Sequence, residues 1–377
     1  MAEADTTNEE KERTPMTYEG YLKINQLLGC QSLISTKHGK TAHDEHLFII
    51  VHQAFELWFK QILCELDSVC ELFQSLVSDE SKAFTIRIRM HRINLIWKLI
   101  IEHFTIMETM TPMEFLEFRV YLSPASGFQS LQFRLIENKL GLKEKDRVPY
   151  SQQHYTVVFN DQSKQLLEKS LKDPSLLKVV ENWLENIPGL KEDEFDFMAK
   201  YTEAVNQYLK EAYPIETDDE TKKTTIKAEY KTAKETFDSI IDPKKHEELV
   251  QAGHRRLSHR ALQGILMISL YRNEPRFNQP YQLLTLLMDM DSLVGKWRYH
   301  HVQMVQRMIG SKVGTGGSSG YHYLKSTVTD HYKVFADLLN LSTYLIEQKY
   351  IPPLTPSMKK LLSVFSKQQV SEENETE

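Results

Sequence analysis

Residues 297–321 read WRYHHVQMVQRMIGSKVGTGGSSGY and join a long apolar helix to a glycine-rich loop. Apolar residues recur at three- and four-residue steps from Leu283 onward, which predicts a helix, and Gly310 ends the pattern. Positions one and two helical turns from His301 are almost all apolar, so its imidazole is expected to face inward. The adjacent His300 leans toward polar residues instead. The helix therefore carries one inward-facing histidine shortly before the loop.

The loop at residues 314–320 has the composition of a ligand-binding turn. Four glycines in seven residues allow backbone N–H groups to approach a ligand closely. The loop is not a dinucleotide fingerprint, because Ser319 stands where the third glycine of GxGxxG is required and no strand precedes it. A flexible linker is the alternative for the loop, and a hydrogen-bonded core residue is the alternative for His301. Both alternatives stay open on these residues alone.

Length and composition describe a globular chain. The 377 residues, 41% hydrophobic and 26% charged, permit one large or two ordinary domains. A net charge of −6 argues against non-specific binding of nucleic acid. Apolar runs such as 47–51 are too short to span a membrane, and no secretory signal follows the polar start. Three cysteines without CxxC spacing fit a reducing compartment, so we expect a cytoplasmic protein with no membrane or nucleic-acid partner.

Composition predicts one domain with a tail at each end. Residues 1–15 are polar and charged and are predicted to be disordered, as is the acidic tail 367–377. Residues 16–366 are predicted to form a single all-helical domain. A segment rich in Lys, Glu, Asp and Thr, at about 214–240, is predicted to be a solvated helical insert.

Helical periodicity runs through the whole predicted domain, and the expected fold class is therefore all-α. Helices are predicted at 18–28, 43–77, 81–109, 111–122, 128–139, 192–213, 257–271, 281–309, 321–345 and 356–365. The one starting at 111 has the strongest signal, because Thr-Pro-Met-Glu supplies an N-cap, a proline at the first position and a glutamate at the third. Only residues 155–159 are a strand candidate.

The helix at 43–77 supplies a second inward-facing histidine. His52 is surrounded by aromatic and aliphatic residues at steps of three, four and seven, among them Phe48. The HDEH run at 43–46 lacks the spacing of HExxH and lies at a helix start, where capping is the expected role. Arg119 falls in the last turn of the helix that starts at 111, where the helix dipole alone favours an arginine.

Two inward-facing histidines on two long helices indicate a haem or a metal held between helices. A di-iron carboxylate site requires Glu-x-x-His, and glutamate never stands three residues before any of the 14 histidines. Zinc requires three or four ligands, and no cluster has suitable spacing. Haem requires only one protein ligand, so the residues alone indicate an all-helical protein with haem as the leading candidate.

Several long motifs resemble the tryptophan 2,3-dioxygenase family. They are YEGYLKINQLL (18–28), HDEHLFIIVHQAFELWFKQI (43–62), TPMEFLEFRVYLSPASGFQSLQFRLIENKLG (111–141), SHRALQG (258–264), NQPYQLLTLLMDMDSLVGKWRYHHV (278–302) and GTGGSSGYHYLKST (314–327). The resemblance implies an all-α, haem-binding helical bundle that forms a homotetramer. It also implies a haem b dioxygenase that converts L-tryptophan and O2 to N-formyl-L-kynurenine, the entry to the kynurenine pathway.

The resemblance also implies roles for individual residues. His301 matches the family's iron ligand and Trp297 the residue packed beside it, while His52 matches the distal histidine that bonds the indole N–H. The residues expected at the substrate are Phe48 and Phe115 beside the indole, Arg119 at the carboxylate, Thr315 at the amino-acid end, and Gly314 in the closing loop. Ser126 and Arg134 are expected near the haem edge and the substrate end, and Tyr18 and Tyr21 in a neighbouring subunit's pocket. The alternative function is a non-catalytic sensor of haem and tryptophan.

Overall fold

The computed structural model describes residues 15–77, 79–149, 154–192, 195–214, 220–315 and 320–363. Its α-helices are α1 (Tyr18–Leu22), α2 (Ile24–Leu28), α3 (Ile34–Lys37), α4 (Asp44–Leu76), α5 (Lys82–Met107), α6 (Pro112–Arg119), α7 (Leu131–Leu140), α8 (Asp161–Lys172), α9 (Leu176–Glu185), α10 (Phe197–Ala212), α11 (Glu220–Ile241), α12 (Pro243–Gln251), α13 (His259–Leu270), α14 (Pro275–Ile309), α15 (Gly320–Ser326), α16 (Ala336–Leu339) and α17 (Pro356–Leu362). Short 3₁₀ turns occur at Gly127–Gln129, Glu144–Asp146, Tyr155–Val158, Asp330–Tyr332, Leu341–Tyr344 and Gln348–Tyr350. The predicted all-α fold class is confirmed.

The long helices α4, α5 and α14 form the centre of the fold. Helices α4 and α14 both pack along α5. Phe59 of α4, Trp97 of α5 and Trp297 of α14 meet there, with ring centroids 5.8 to 6.2 Å apart. All three side chains are buried, and burial of aromatic surface of this size dominates the stability of a helical core. This packing holds α14 and α4, which carry the two inward-facing histidines, at a fixed distance.

Among the described residues, α4 is the one helix that has the length and apolar composition of a membrane span. The core helix of a globular protein meets the same test. In this fold α4 packs against α5, α7 and α9, which accounts for its apolar side.

The strand prediction at 155–159 is wrong. Tyr155–Val158 is a 3₁₀ turn, and Tyr155 packs with Phe128, Phe159 and Leu167 in a small separate cluster. The strands among the described residues are β1 (Lys191–Glu192) and β2 (Phe195–Asp196), which form a short antiparallel pair. Apolar residues in so short a run do not distinguish a strand from a buried turn.

Two helices are shorter or more broken than predicted. The predicted helix at 18–28 is divided at Lys23, whose φ of 56° lies in the left-handed region. The predicted helix at 321–345 ends at Ser326, and the carboxylate of Asp291 accepts hydrogen bonds from the backbone N–H groups of Val334 and Phe335 at 3.0 and 3.1 Å. A buried side chain thus replaces the helical partners of these two N–H groups.

The predicted capping role of the HDEH run is also wrong. His43 is the N-cap of α4, but its side chain makes no capping hydrogen bond. The carboxylate of Glu45 instead accepts the backbone N–H groups of Ile34 and Ser35, at 2.6 and 3.0 Å, at the start of α3. Glu45 therefore stabilises a neighbouring helix, which local spacing did not indicate.

The cap predicted at Thr111 is confirmed. Thr111 and Glu114 form a reciprocal capping box that starts α6, and α6 ends at Arg119. Gly141, with a φ of 112°, ends α7 one residue after Leu140. These boundaries place Arg119 at one end of the segment that links α6 to α7.

The predictions for the two tails and the insert have different outcomes. Disorder over 1–15 and 367–377 concerns residues outside the described ranges, apart from Pro15. The charged segment predicted at 214–240 contains helix α11, in which only Phe237 and Ile240 are buried. That this helix is an insert, and that 16–366 forms one domain, stay predictions.

Gly264 of α13 allows close packing against α9. A Cβ atom at this position would lie 2.2 Å from the carbonyl oxygen of Leu184. This oxygen belongs to the backbone, so it cannot move aside as easily as the end of a side chain. We expect Gly264→Ala to lower the free energy of unfolding by about 1–3 kcal/mol, measured by urea denaturation. Gly295→Ala, also in a helix interior but with open space around the added carbon, is the control and should not destabilise the protein. Equal stability of the two variants would contradict the prediction.

Candidate active site

One cavity of about 1650 Å³, its open mouth included, lies between α4, α5, α6, α7, α14 and α15. Ten of the twelve residues predicted for the site line it: Phe48, His52, Phe115, Arg119, Ser126, Arg134, Trp297, His301, Gly314 and Thr315. Tyr18 and Tyr21 do not, and they are 78% and 69% exposed on α1. The fold thus brings together residues from four helices and two loops.

His301 faces the cavity from α14. Its ring lies beside Trp297, with centroids 5.2 Å apart, and neither of its nitrogens has a hydrogen-bond partner among the described residues. Burial, together with the nearby His52, Arg298 and Arg134, lowers the pKa of His301 to about 4. The imidazole is therefore neutral and keeps a lone pair. The ring is half-buried and lines the cavity, so its lone pair is available to a ligand there.

His52 faces the same cavity from α4. Its Nδ1 lies 2.7 Å from the carbonyl oxygen of Phe48, and a carbonyl only accepts, so Nδ1 carries the proton. Burial lowers the pKa of His52, which keeps the ring neutral and leaves Nε2 as an acceptor. The ring of Phe48 lies 4.1 Å from that of His52 and 5.7 Å from that of Phe115. This wall therefore combines aromatic surface with one hydrogen-bond acceptor.

Polar groups gather where the segment after α6 meets the loop after α14. The guanidinium of Arg119 donates to the carbonyl of Val313. The hydroxyl of Thr315 donates to the carbonyl of Ala125 at 2.6 Å, and the hydroxyl of Ser123 donates to the carbonyl of Thr315 at 3.3 Å. Residues 313–315 are thereby attached to the segment that links α6 to α7. Residues 316–319 of the glycine-rich loop lie outside the described ranges.

Ser126 lies at the start of the 3₁₀ turn Gly127–Gln129. Its hydroxyl accepts the backbone N–H of Phe128 at 3.3 Å, and the backbone N–H of Ser126 donates to Gln129 at 3.2 Å. These bonds hold Ser126 and Gly127 against the cavity. The geometry is compatible with the role predicted for Ser126, which stays a prediction.

A buried charge cluster borders the cavity beside Arg134. The carboxylate of Glu137 accepts hydrogen bonds from three guanidinium groups, those of Arg134, Arg147 and Arg298. These arginines lower the pKa of Glu137 far below its usual range, although burial alone would raise it. Sequence reasoning identified Arg134 as a site residue but neither Arg298 nor Glu137. The i,i+3 spacing of Arg134 and Glu137 on one helix was the available signal.

Comparison with known proteins gives a consistent result. The family model described as tryptophan 2,3-dioxygenase matches residues 2–345. A tryptophan 2,3-dioxygenase of Xenopus laevis is 53% identical over 351 residues, which cover 92% of this chain and 86% of the relative. That of Mus musculus is 52% identical over the same coverage, and tryptophan 2,3-dioxygenase B of Danio rerio is 51% identical over 91% of this chain and 85% of its own. With this similarity along nearly its whole length, the chain is a member of the tryptophan 2,3-dioxygenase family of oxidoreductases.

Proposed function

We propose that this enzyme inserts both atoms of dioxygen across the indole C2–C3 bond of L-tryptophan and releases N-formyl-L-kynurenine, the first step of the kynurenine pathway. One observation carries the proposal: a single cavity joins a neutral histidine, His301, to the polar groups of Arg119 and Thr315. A neutral imidazole suits a haem iron, and the polar groups suit the charged end of an amino acid. Membership of the family supports the same reaction class.

Haem b is the proposed cofactor, and the cavity wall fits it. His301 offers a lone pair for the iron, with Trp297 packed beside it. Arg134 and Arg298 offer positive charge for the two porphyrin propionates. Apolar surface for the ring system comes from Phe55, Phe59, Phe104, Phe128 and Phe133. We propose that Ser126 and Arg134 lie at the haem edge.

L-Tryptophan is the proposed substrate. Phe48 and Phe115 offer a wall for the indole, whose N–H would donate to Nε2 of His52. Arg119 would release the carbonyl of Val313 and bind the substrate carboxylate with two parallel hydrogen bonds. The hydroxyl of Thr315 uses its proton on Ala125, so its lone pairs are left to accept from the substrate ammonium. Gly314 precedes Thr315 in this part of the wall.

The chain's own groups set the geometry of the reaction. When bound, the haem supplies an iron that activates dioxygen. Arg119 and Thr315 fix the amino-acid end, so that the reacting indole bond is oriented before the reaction begins. The aromatic wall excludes water from the reacting atoms. His52 holds the indole N–H but does not remove its proton, because that proton is very weakly acidic.

The proposed role of His52 predicts a modest effect of its removal. We expect His52→Ala to retain turnover at saturating L-tryptophan within about tenfold of the wild type, since one neutral hydrogen bond is lost. Steady-state kinetics and haem titration measure the two properties that matter. Complete loss of turnover with haem and substrate affinity unchanged would show that His52 is an obligatory base.

Aerobic incubation of the reduced, haem-loaded protein with L-tryptophan tests the proposed function. The expected result is growth of the N-formylkynurenine absorbance, with both atoms of isotopically labelled dioxygen found in the product by mass spectrometry. A change of the haem spectrum without product would instead support the alternative, a non-catalytic sensor of haem and tryptophan. An unchanged spectrum after addition of haem would reject both.

We also propose that the enzyme is a homotetramer. Helices α1 and α2 contain no buried residue, so Tyr18 and Tyr21 are available to a neighbouring subunit's pocket. Helix α5 carries an exposed apolar stripe with spacings of four and seven: Phe84, Ile88, Leu95, Leu99 and Ile106. A stripe with this period matches a helix of a second copy.

The three cysteines are unpaired, which favours the cytoplasm as the proposed location.

The α5 stripe gives a test of the assembly. We expect Leu95→Arg to reduce the mass measured by light scattering, because a charge in an apolar interface is strongly unfavourable. Leu171→Arg on α8 is the matched control, since Leu171 and Leu95 are 45% and 49% exposed, and it should keep the wild-type mass. An unchanged mass for Leu95→Arg would remove this stripe from the interface.

A further inference from the structure

Glu137 is a single buried carboxylate that accepts hydrogen bonds from three buried arginines. Its Oε2 accepts from Arg134 at 2.9 Å and from Arg147, and its Oε1 accepts from Arg298 at 2.5 Å. All four side chains are less than one tenth exposed. They come from α7, the segment after it, and α14, so the cluster exists only in the folded chain.

The cluster carries a surplus of positive charge. These three guanidinium groups and one carboxylate by themselves carry a net charge of +2, and a buried charge without a partner is costly. The buried carboxylate of Asp291 also attracts Arg298, but it is hydrogen-bonded to backbone N–H groups. The Nε atoms of Arg134 and Arg298 are buried without a hydrogen-bond partner, and both side chains line the cavity. Aromatic faces cover the arginines on other sides, with Phe128 and Tyr332 within 4.6 Å of the guanidinium carbons. The side chains of Arg134 and Arg298 line the cavity, so this surplus lies at the cavity wall.

We propose that this cluster is a preformed seat for two carboxylate groups and that Glu137 is the positioning residue that sets its charge. The inference rests on the proposed function, because the two porphyrin propionates are the dianion that would bring the net charge to zero. Glu137 acts through Arg134 and Arg298: it holds their orientation and reduces their attraction for the ligand. A purely structural ion cluster would affect charged and neutral porphyrins equally.

The wild-type protein allows a test that uses no iron. The full-length, haem-free chain is titrated with protoporphyrin IX and with its dimethyl ester, which has the same ring but no negative charge. We expect the diacid to bind at least about 100-fold more tightly, because two charge-assisted interactions are lost in the ester. Equal affinities would overturn the dianion seat and leave the proposed function standing. Failure of haem itself to bind would overturn the proposed function as well.

Glu137→Gln tests the role of the carboxylate. Glutamine has nearly the same shape, and its one carbonyl oxygen can keep the bonds from Arg134 and Arg147, while its amide group faces Arg298 without accepting from it. The cluster surplus rises from two charges to three. The ratio of diacid to diester affinity is expected to rise at least about tenfold, and Arg134→Gln should lower it. Glu65→Gln, which removes a buried carboxylate paired with Arg92 outside the cavity, is the control and should leave the ratio unchanged. A ratio that stays the same or falls in Glu137→Gln would overturn the role of Glu137.

Discussion

Replacing His301 with alanine is expected to lower haem affinity by more than about 100-fold, since even residues that only support a metal ligand contribute 10- to 100-fold. His52, the other histidine on the cavity wall, lies on a different helix, and its Nδ1 donates to the carbonyl of Phe48. Haem titration followed by absorbance measures the effect. The fold should persist, because the side chain makes no hydrogen bond to the described residues.

The adjacent histidine supplies the control. His300 lies on the same helix, does not line the cavity, and stacks near Phe104 with ring centroids 6.0 Å apart. His300→Ala should bind haem with nearly wild-type affinity and spectrum. If His300→Ala lost haem while His301→Ala kept it, the assignment of the ligand would be reversed.

Arg119→Leu is expected to lower kcat/KM for L-tryptophan by about 100- to 1000-fold, because the substrate carboxylate would lose a bidentate, charge-assisted partner. Most of the loss should appear in KM, since the arginine binds a part of the substrate that does not react. Arg119→Lys should fall between Leu and the wild type, because it keeps the charge but loses the paired geometry. Steady-state kinetics with all three proteins measure this order.

Tryptamine, which lacks the carboxylate, separates binding from folding effects. Its weak turnover or inhibition constant should be nearly the same for the wild type and Arg119→Leu. A similar loss for both compounds would mean that Arg119 acts by holding Val313 in place and not by binding the substrate. The two outcomes are distinguishable without a structure of the complex.

The main helices were predictable because long helices leave a strong periodic signal. The boundaries predicted for α4, α5 and α14 differ from the structure by a few residues. The errors occur where a distant group intervenes: Asp291 captures backbone N–H groups after residue 326, and Glu45 caps α3 across a loop. Local patterns contain no information about such partners, so these errors have a common physical cause.

The candidate site, like the helices, could be predicted only in part from the sequence. Residue types and motifs identified His52, Arg119, His301 and Thr315, because each lies in a stretch with its own local signal. Their meeting in one cavity depends on how α4 and α14 pack against α5, which periodicity does not specify. The three arginines around Glu137 are separated by up to 164 positions and were not linked by any pattern.

Helical periodicity and a few long motifs were sufficient to establish the all-α class, the family resemblance and the residues worth testing. Only the folded chain decided that a buried carboxylate would face three arginines and that His301 would have no hydrogen-bond partner among the described residues. The reason is that periodic patterns report which side of an element is buried. They do not report which distant charges and rings meet there once the elements have packed.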